Sequence, residues 1–213
     1  MAITFPRDLP AVLRVPGEDF RLDRYMQVNR FRGGTEDVIE VAQPRWRIAW
    51  NLGAVDDATY QEIEAFLESL LGGAREFLAW RRNRPLPRMY RGGFDGLTRH
   101  GGGAFDGTAT VTAISATGLT LATLPTGFAF KAGDMIGLVE DGRYGLHMAM
   151  EDVTATAGVA SLTVEPKIMT SQFTTAAVAN LDRPKAKFIL QTWSGERAHE
   201  RLPMTIEAYQ RLT

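Results

Sequence analysis

No cysteine occurs in the chain, which excludes disulfide frameworks, thiolate metal sites and cysteine nucleophiles. Histidine is scarce as well. His100, His147 and His199 fall in separate segments, none beside a second ligand type at metal spacing, so no bound metal is expected. Neither sign of charge is in excess. The 24 Lys and Arg against 25 Asp and Glu give a formal net charge of -1, so no global basic field points to nucleic acid or to an anionic membrane. No apolar run approaches the roughly 20 residues needed to cross a bilayer, and no membrane insertion is expected. The opening MAITFPRDLPAV lacks the basic start and apolar core of a signal peptide. The expectation is a protein made in the cytoplasm and not exported by a cleaved signal.

Chemistry is equally sparse. No Gly-x-Ser-x-Gly elbow is present. HGGGAFDG, residues 100–107, offers consecutive backbone N–H groups of the kind that cradle an anion. A phosphate loop would follow them with Lys and then Ser or Thr opening a helix, and neither appears. A flexible linker at a domain boundary is the expectation for this stretch. The carboxylates Asp134, Glu140, Asp141, Glu151 and Asp152 fall at strand ends and turns, where acidic residues are common, rather than in a pair suited to sugar hydrolysis. No catalytic residue and no cofactor site are assigned, and the expectation is that the protein is not an enzyme.

The chain does carry clear structural periodicity. In PRWRIAW, Trp46, Ile48 and Trp50 alternate with Arg45, Arg47 and Ala49, the period of a half-buried strand. Asp56 or Asp57 then suits a helix N-cap. Tyr60, Ile63, Phe66, Leu67, Leu70 and Leu71 form one apolar stripe, with Glu62, Glu64 and Glu68 facing outward and Gly72-Gly73 as the stop. One helix over residues 56–72, lying on a sheet, is the prediction. Before it, short extended stretches flank a turn at Gly33-Gly34. Residues 92–118 are rich in Gly, Thr and Ala, and short β-like runs follow, with Asp141-Gly142 a good hairpin turn.

This middle region reads as a compact all-β barrel or sandwich of its own. Large alternating residues return in KFILQTW and LPMTIEAYQRL, a hairpin too short to stand alone. It is expected to complete the sheet begun by residues 1–85. The division that follows is residues 1–88 and 184–213 as one β domain bearing the helix, and 89–183 as an inserted all-β domain. Trp46, Trp50, Phe66, Leu70, Trp80 and Phe188 are expected in one core of the first domain. Arg75, Arg81, Arg82, Arg84 and Arg88, with Arg91, crowd one stretch beside the acidic helix. Arg is favoured at protein interfaces because its planar fork pairs bidentately with carboxylates, so a subunit contact is the preferred reading over a nucleic-acid groove.

The FPRDLP opening, QPRWRIAWNLG, the helix DDATYQEIEAFLESLLGGAREF and LAWRRNRPLP together resemble the distal tail protein family of long-tailed, siphovirus-like phages and gene transfer agents. The stretch from LPTGFAF to SLTVEP resembles the β-domain found in several such tail proteins. The resemblance implies a mainly β fold: a β-barrel or sandwich ring domain with one α-helix, and an inserted small barrel of the oligonucleotide/oligosaccharide-binding or SH3 kind. It also implies a structural virion component at the tail tip, forming a ring, expected to be a hexamer, between the tail tube protein and the hub and other baseplate proteins. No catalytic residues come with it. The alternative reading is a binding module whose inserted β-domain recognises a host surface glycan or a partner protein.

Overall fold

The computed structural model of the chain describes residues 3–195 and 202–212. The chain is mainly β, with a closed six-stranded barrel and, among the described residues, one α-helix. It runs through β1 (Arg7–Asp8), β2 (Gly17–Arg30), β3 (Glu36–Val55), α1 (Asp57–Ser69) and β4 (Glu76–Ala79). There follow β5 (Thr108–Ile114), β6 (Gly118–Ala122), β7 (Ala129–Phe130), β8 (Met135–Glu140), β9 (Arg143–Ala149) and β10 (Val153–Thr154). The last elements are β11 (Ala160–Glu165), β12 (Val178–Asn180), β13 (Ala186–Gly195) and β14 (Leu202–Gln210). Two compact units result. The sheet unit holds Pro10–Glu76 and Phe188–Leu212, and the barrel unit holds Phe77–Lys187 with the residues up to Leu9. The crossings therefore fall at 76/77 and 187/188, against 88/89 and 183/184 from composition.

In the sheet unit the strand order is β13-β14-β3-β2, all antiparallel. The final hairpin does extend the sheet, since β14 pairs with β3 from Leu202↔Val55 to Tyr209↔Arg47. Along β3 the alternation holds: Trp46, Ile48, Trp50 and Leu52 are buried, while Arg45, Arg47 and Ala49 are only partly so. Pro44 does not interrupt β3. It sits where the register with β2 shifts between Asp23 and Tyr25, so its missing N–H removes no regular ladder bond. The short stretches expected before residue 45 are instead two strands of 14 and 20 residues, joined by a turn in which Gly34 N–H donates to the Phe31 carbonyl.

Helix α1 starts where the N-cap residue places it. The Asp56 carboxylate accepts from the Thr59 N–H at 2.9 Å and from the Thr59 hydroxyl at 2.9 Å. The first of these bonds is also the main reason the Asp56 pKa lies below the usual carboxylate value. Tyr60, Ile63, Phe66, Leu67 and Leu70 are all buried, each contributing on the order of 1.5–3 kcal/mol through removal of apolar area from water. The helix ends at Ser69 rather than 72. Leu71, Gly72 and Gly73 adopt φ of 50°, 62° and 93°, and this left-handed run turns Leu71 out of the stripe to 59% exposure. Trp80 is likewise not a core residue. It is half-buried, with the Arg82 guanidinium 4.8 Å and the Lys185 ammonium 5.6 Å from its ring centroid.

The barrel closes in the order β11-β6-β5-β12-β8-β9, with β11 pairing back to β9. At the β8–β9 turn Asp141 and Gly142 have φ of 48° and 74°, the left-handed pair of a two-residue hairpin. The barrel core centres on Phe128, whose ring stacks on Tyr90 at 4.2 Å and meets Phe105 and Phe130 edge-on. Residues 100–107 belong to this unit and are not a linker. Phe94 and Phe105 are buried in its core, and the Arg99 side chain ties Asp106 to the Thr108 and Thr123 carbonyls.

Candidate functional site

The arginines close in sequence belong to two compact units. Arg75 lies in the sheet unit, where its Nη1 donates to the Ser69 carbonyl at 3.2 Å and satisfies one of the open acceptors at the end of α1. Arg81 and Arg82 are half-buried beside Trp80, and both are engaged in contacts of their own. Arg84 and Arg88 remain exposed and line one cleft together with Arg91. Among the described residues none of these three guanidiniums makes an ion pair with a carboxylate, although Arg88 adds to the positive field at Asp152.

The cleft has a volume of about 430 Å³ and lies wholly within the barrel unit. One wall is the segment 83–91 and the other is 132–135, at the entry to β8. Pro87 opens a tight turn over Arg88–Tyr90, closed by the Tyr90 N–H on the Pro87 carbonyl. Three ties fix this turn to the barrel. Asp134, only 5% exposed, accepts the Arg88 N–H on Oδ1 and the Lys131 N–H on Oδ2, each at 2.8 Å. The Tyr90 ring stacks on Phe128, and its oxygen accepts the Ala129 N–H at 2.9 Å. The Arg183 N–H donates to the Pro85 carbonyl at 2.8 Å. Beside the cleft, Lys131 pairs with Asp152 at 2.7 Å, which holds the Asp152 carboxyl below its usual pKa.

The other acidic residues weighed in the sequence serve local structure. Glu140 accepts the Thr174 N–H and hydroxyl, and Glu151 accepts the Thr163 hydroxyl. His100 Nδ1 lies 2.8 Å from the Thr126 hydroxyl. His147 is buried, its Nδ1–H donating to the Pro166 carbonyl at 2.7 Å, while His199 lies outside the described residues. Among the described residues no group of three or more His, Asp or Glu is placed to hold a metal ion.

A second surface is in the sheet unit. The outer part of the β2–β3 hairpin, residues 24–41, is exposed along nearly its whole length. Tyr25, Met26, Val28, Phe31, Val38, Ile39 and Val41 are each at least 39% exposed there. Val28 pairs with Val38 and Gln27 with Ile39, so apolar side chains occupy both faces of the arm. The Arg residues 24, 30 and 32 lie on β2 and the turn, whereas Glu36, Asp37 and Glu40 lie on β3. Cross-strand pairs link Arg24 to Glu40 at 3.0 Å and Arg30 to Glu36 at 2.8 Å.

Neither surface follows from residue spacing alone. Asp134 stood in the sequence only as a turn carboxylate, and its 46-residue reach to Arg88 leaves no local signal. The arm does leave one: between residues 25 and 41 the apolar residues occupy both odd and even positions, unlike the strict alternation of 44–52. No protein-family model matches the chain, and comparison with curated proteins returns no match.

Proposed function

We propose that the chain is a structural, ring-forming protein of a phage-like tail tip, assembling through its sheet unit. The observation that carries this reading is the exposed arm of residues 24–41. A soluble monomer rarely leaves so many large apolar side chains contiguous and uncovered, and a two-stranded ribbon gains little stability by itself. Strand β2 is also the free edge of its sheet, a 14-residue row of backbone groups ready to pair.

The charge layout suits a second copy of the chain. Basic residues on β2 of one arm complement acidic residues on β3 of the next, and the internal pairs they would replace are exposed and worth ~0–1 kcal/mol each. A head-to-tail contact of this kind gives a ring where its rotation closes. The proposed ring is a hexamer between the tail tube protein and the hub and baseplate proteins, in keeping with the resemblance of the chain to distal tail proteins.

Light scattering with negative-stain imaging tests the assembly, on purified protein and on the particle. The double substitution V28K/V38K places two charges on one face of the arm. It should abolish the oligomer while changing the unfolding free energy by no more than about 0.5 kcal/mol, the usual range for exposed sites. An oligomer unaffected by V28K/V38K, or a particle whose tail tip lacks the ring, refutes the proposal.

A further inference from the structure

We propose that the cleft lined by Arg84, Arg88 and Arg91 in the barrel unit is a binding site for phosphate groups, taken two or three at a time. Three observations carry this. The three arginines line one concavity of about 430 Å³, a size within the ordinary range for small-molecule sites, roughly 300–1,000 Å³. Among the described residues none of the three makes an ion pair with a carboxylate, so their forks are left to an outside anion. Their backbone is held in place beforehand: the buried Asp134 carboxylate, the Tyr90–Phe128 stack and the Pro85–Arg183 hydrogen bond fix the 84–91 turn to the barrel. Pre-organisation of this kind lowers the cost of ordering the site on binding.

Phosphate fits better than carboxylate for a geometric reason. A carboxylate is planar and is satisfied by one bidentate fork, whereas a phosphate presents oxygens around a tetrahedron and accepts forks from several directions. Three arginines in a cleft larger than one phosphate favour a di- or triphosphate, or successive phosphates of a polymer. Asp134 does not oppose this strongly, because both its oxygens are occupied by backbone N–H groups. Asp152 is similarly engaged, by Lys131 and the Ala132 N–H. The site is independent of the ring proposed above, since a chain that never assembles keeps the same cleft.

Calorimetric titration of the full chain with sodium tripolyphosphate, at one fixed low salt concentration, tests it. One-site saturable binding is expected. Each Arg→Ala change removes a charge-assisted contact and should weaken binding about tenfold or more, and R84A/R91A correspondingly further. Amide NMR shifts on titrating the wild-type protein should cluster at residues 84–91 and 132–135, a readout that needs no variant. Citrate, a tricarboxylate, should bind at least about tenfold more weakly than tripolyphosphate. Long-chain polyphosphate separates the sources: tighter binding per phosphate assigns the site to polymer-borne phosphate, and equal binding assigns it to the free anion. No saturable binding by the wild type, equal affinity for citrate, or unchanged affinity in R84A/R91A overturns the proposal.

Discussion

His147 should make the barrel unit lose stability as the solution is acidified, well before its carboxylates are protonated. The imidazole is enclosed on β9, with Nδ1–H on the Pro166 carbonyl. Its Nε2 has no hydrogen-bond partner among the described residues and lies beside Gly145, which the Phe173 ring also approaches. A second proton would place a positive charge in this apolar wall with nothing to receive it. Burial therefore pushes the His147 pKa down from 6.5 to about 4, against a smaller opposing effect of the Pro166 hydrogen bond. In the unfolded chain the same ring takes its proton below about pH 6.5.

Protons thus bind the unfolded state in preference to the folded one between these values. The contribution is intact above pH 6.5 and is lost as the pH falls toward 4. With 1.36 kcal/mol per unit, the loss is about 2 kcal/mol at pH 5 and about 3 kcal/mol below pH 4. Denaturant titrations of the wild type and His147→Gln at pH 8 and pH 5 measure it as the difference in pH slope, whatever the absolute cost of the substitution. The wild type should lose about 2 kcal/mol more than His147→Gln over this interval. Equal losses in the two proteins, or a His147 ring that titrates by NMR between pH 7 and 5, would refute the reasoning.

Gly73→Ala should destabilise the sheet unit far more than Gly72→Ala. Both positions have positive φ, costing roughly 1–2 kcal/mol for an L-residue, but a Cβ at 73 also runs into the Leu190 carbonyl oxygen while 72 is open. Comparison of the two denaturation midpoints checks this. Asp56→Ala should lower the melting temperature of the sheet unit, because two Thr59 donors lose their acceptor, and Asp56→Asn should restore most of it. Phe128→Ala should cost the barrel about 3–5 kcal/mol, read from its unfolding transition, since it removes the ring that joins Tyr90, Phe105 and Phe130.

What the sequence made legible was what short-range periodicity encodes. The stripe from Tyr60 to Leu70, the cap at Asp56, the alternation from Trp46 to Trp50 and the Asp141-Gly142 turn each depend on neighbours within a few residues. The errors came where a backbone angle or a distant partner decides. Leu71 fits the helical period, but its φ of 50° takes it off the helix. Arg7 and Asp8 pair in parallel with Phe77 and Leu78, a two-residue contact with no pattern to announce it. Five arginines fall within fourteen residues, but only Arg84 and Arg88 of them line the cleft, where Arg88 is held by the distant Asp134. Phe105, set among the glycines of 100–107, gives no local sign of burial because the aromatic cluster that encloses it is assembled from residues on either side.

The two units expose different means of association, and salt should separate them. Every barrel strand is paired on both sides, so the barrel offers no free backbone edge, and what it presents to a ligand is side-chain charge in the Arg84–Arg91 cleft. The sheet unit ends in β2, an open edge flanked by apolar side chains. Binding of a polyanion by guanidiniums is screened by salt, whereas burial of apolar surface is not weakened by it. In the proposed scheme, raising sodium chloride from about 0.05 to 0.5 M, where the screening length falls well below 10 Å, should therefore release tripolyphosphate and leave the oligomer intact. The surface charges of the arm modulate this only slightly, because exposed pairs such as Arg30–Glu36 contribute little even at low salt. An oligomer that dissociates over the same salt range as the anion would mean that assembly runs through charge, and the arm would lose its assigned role.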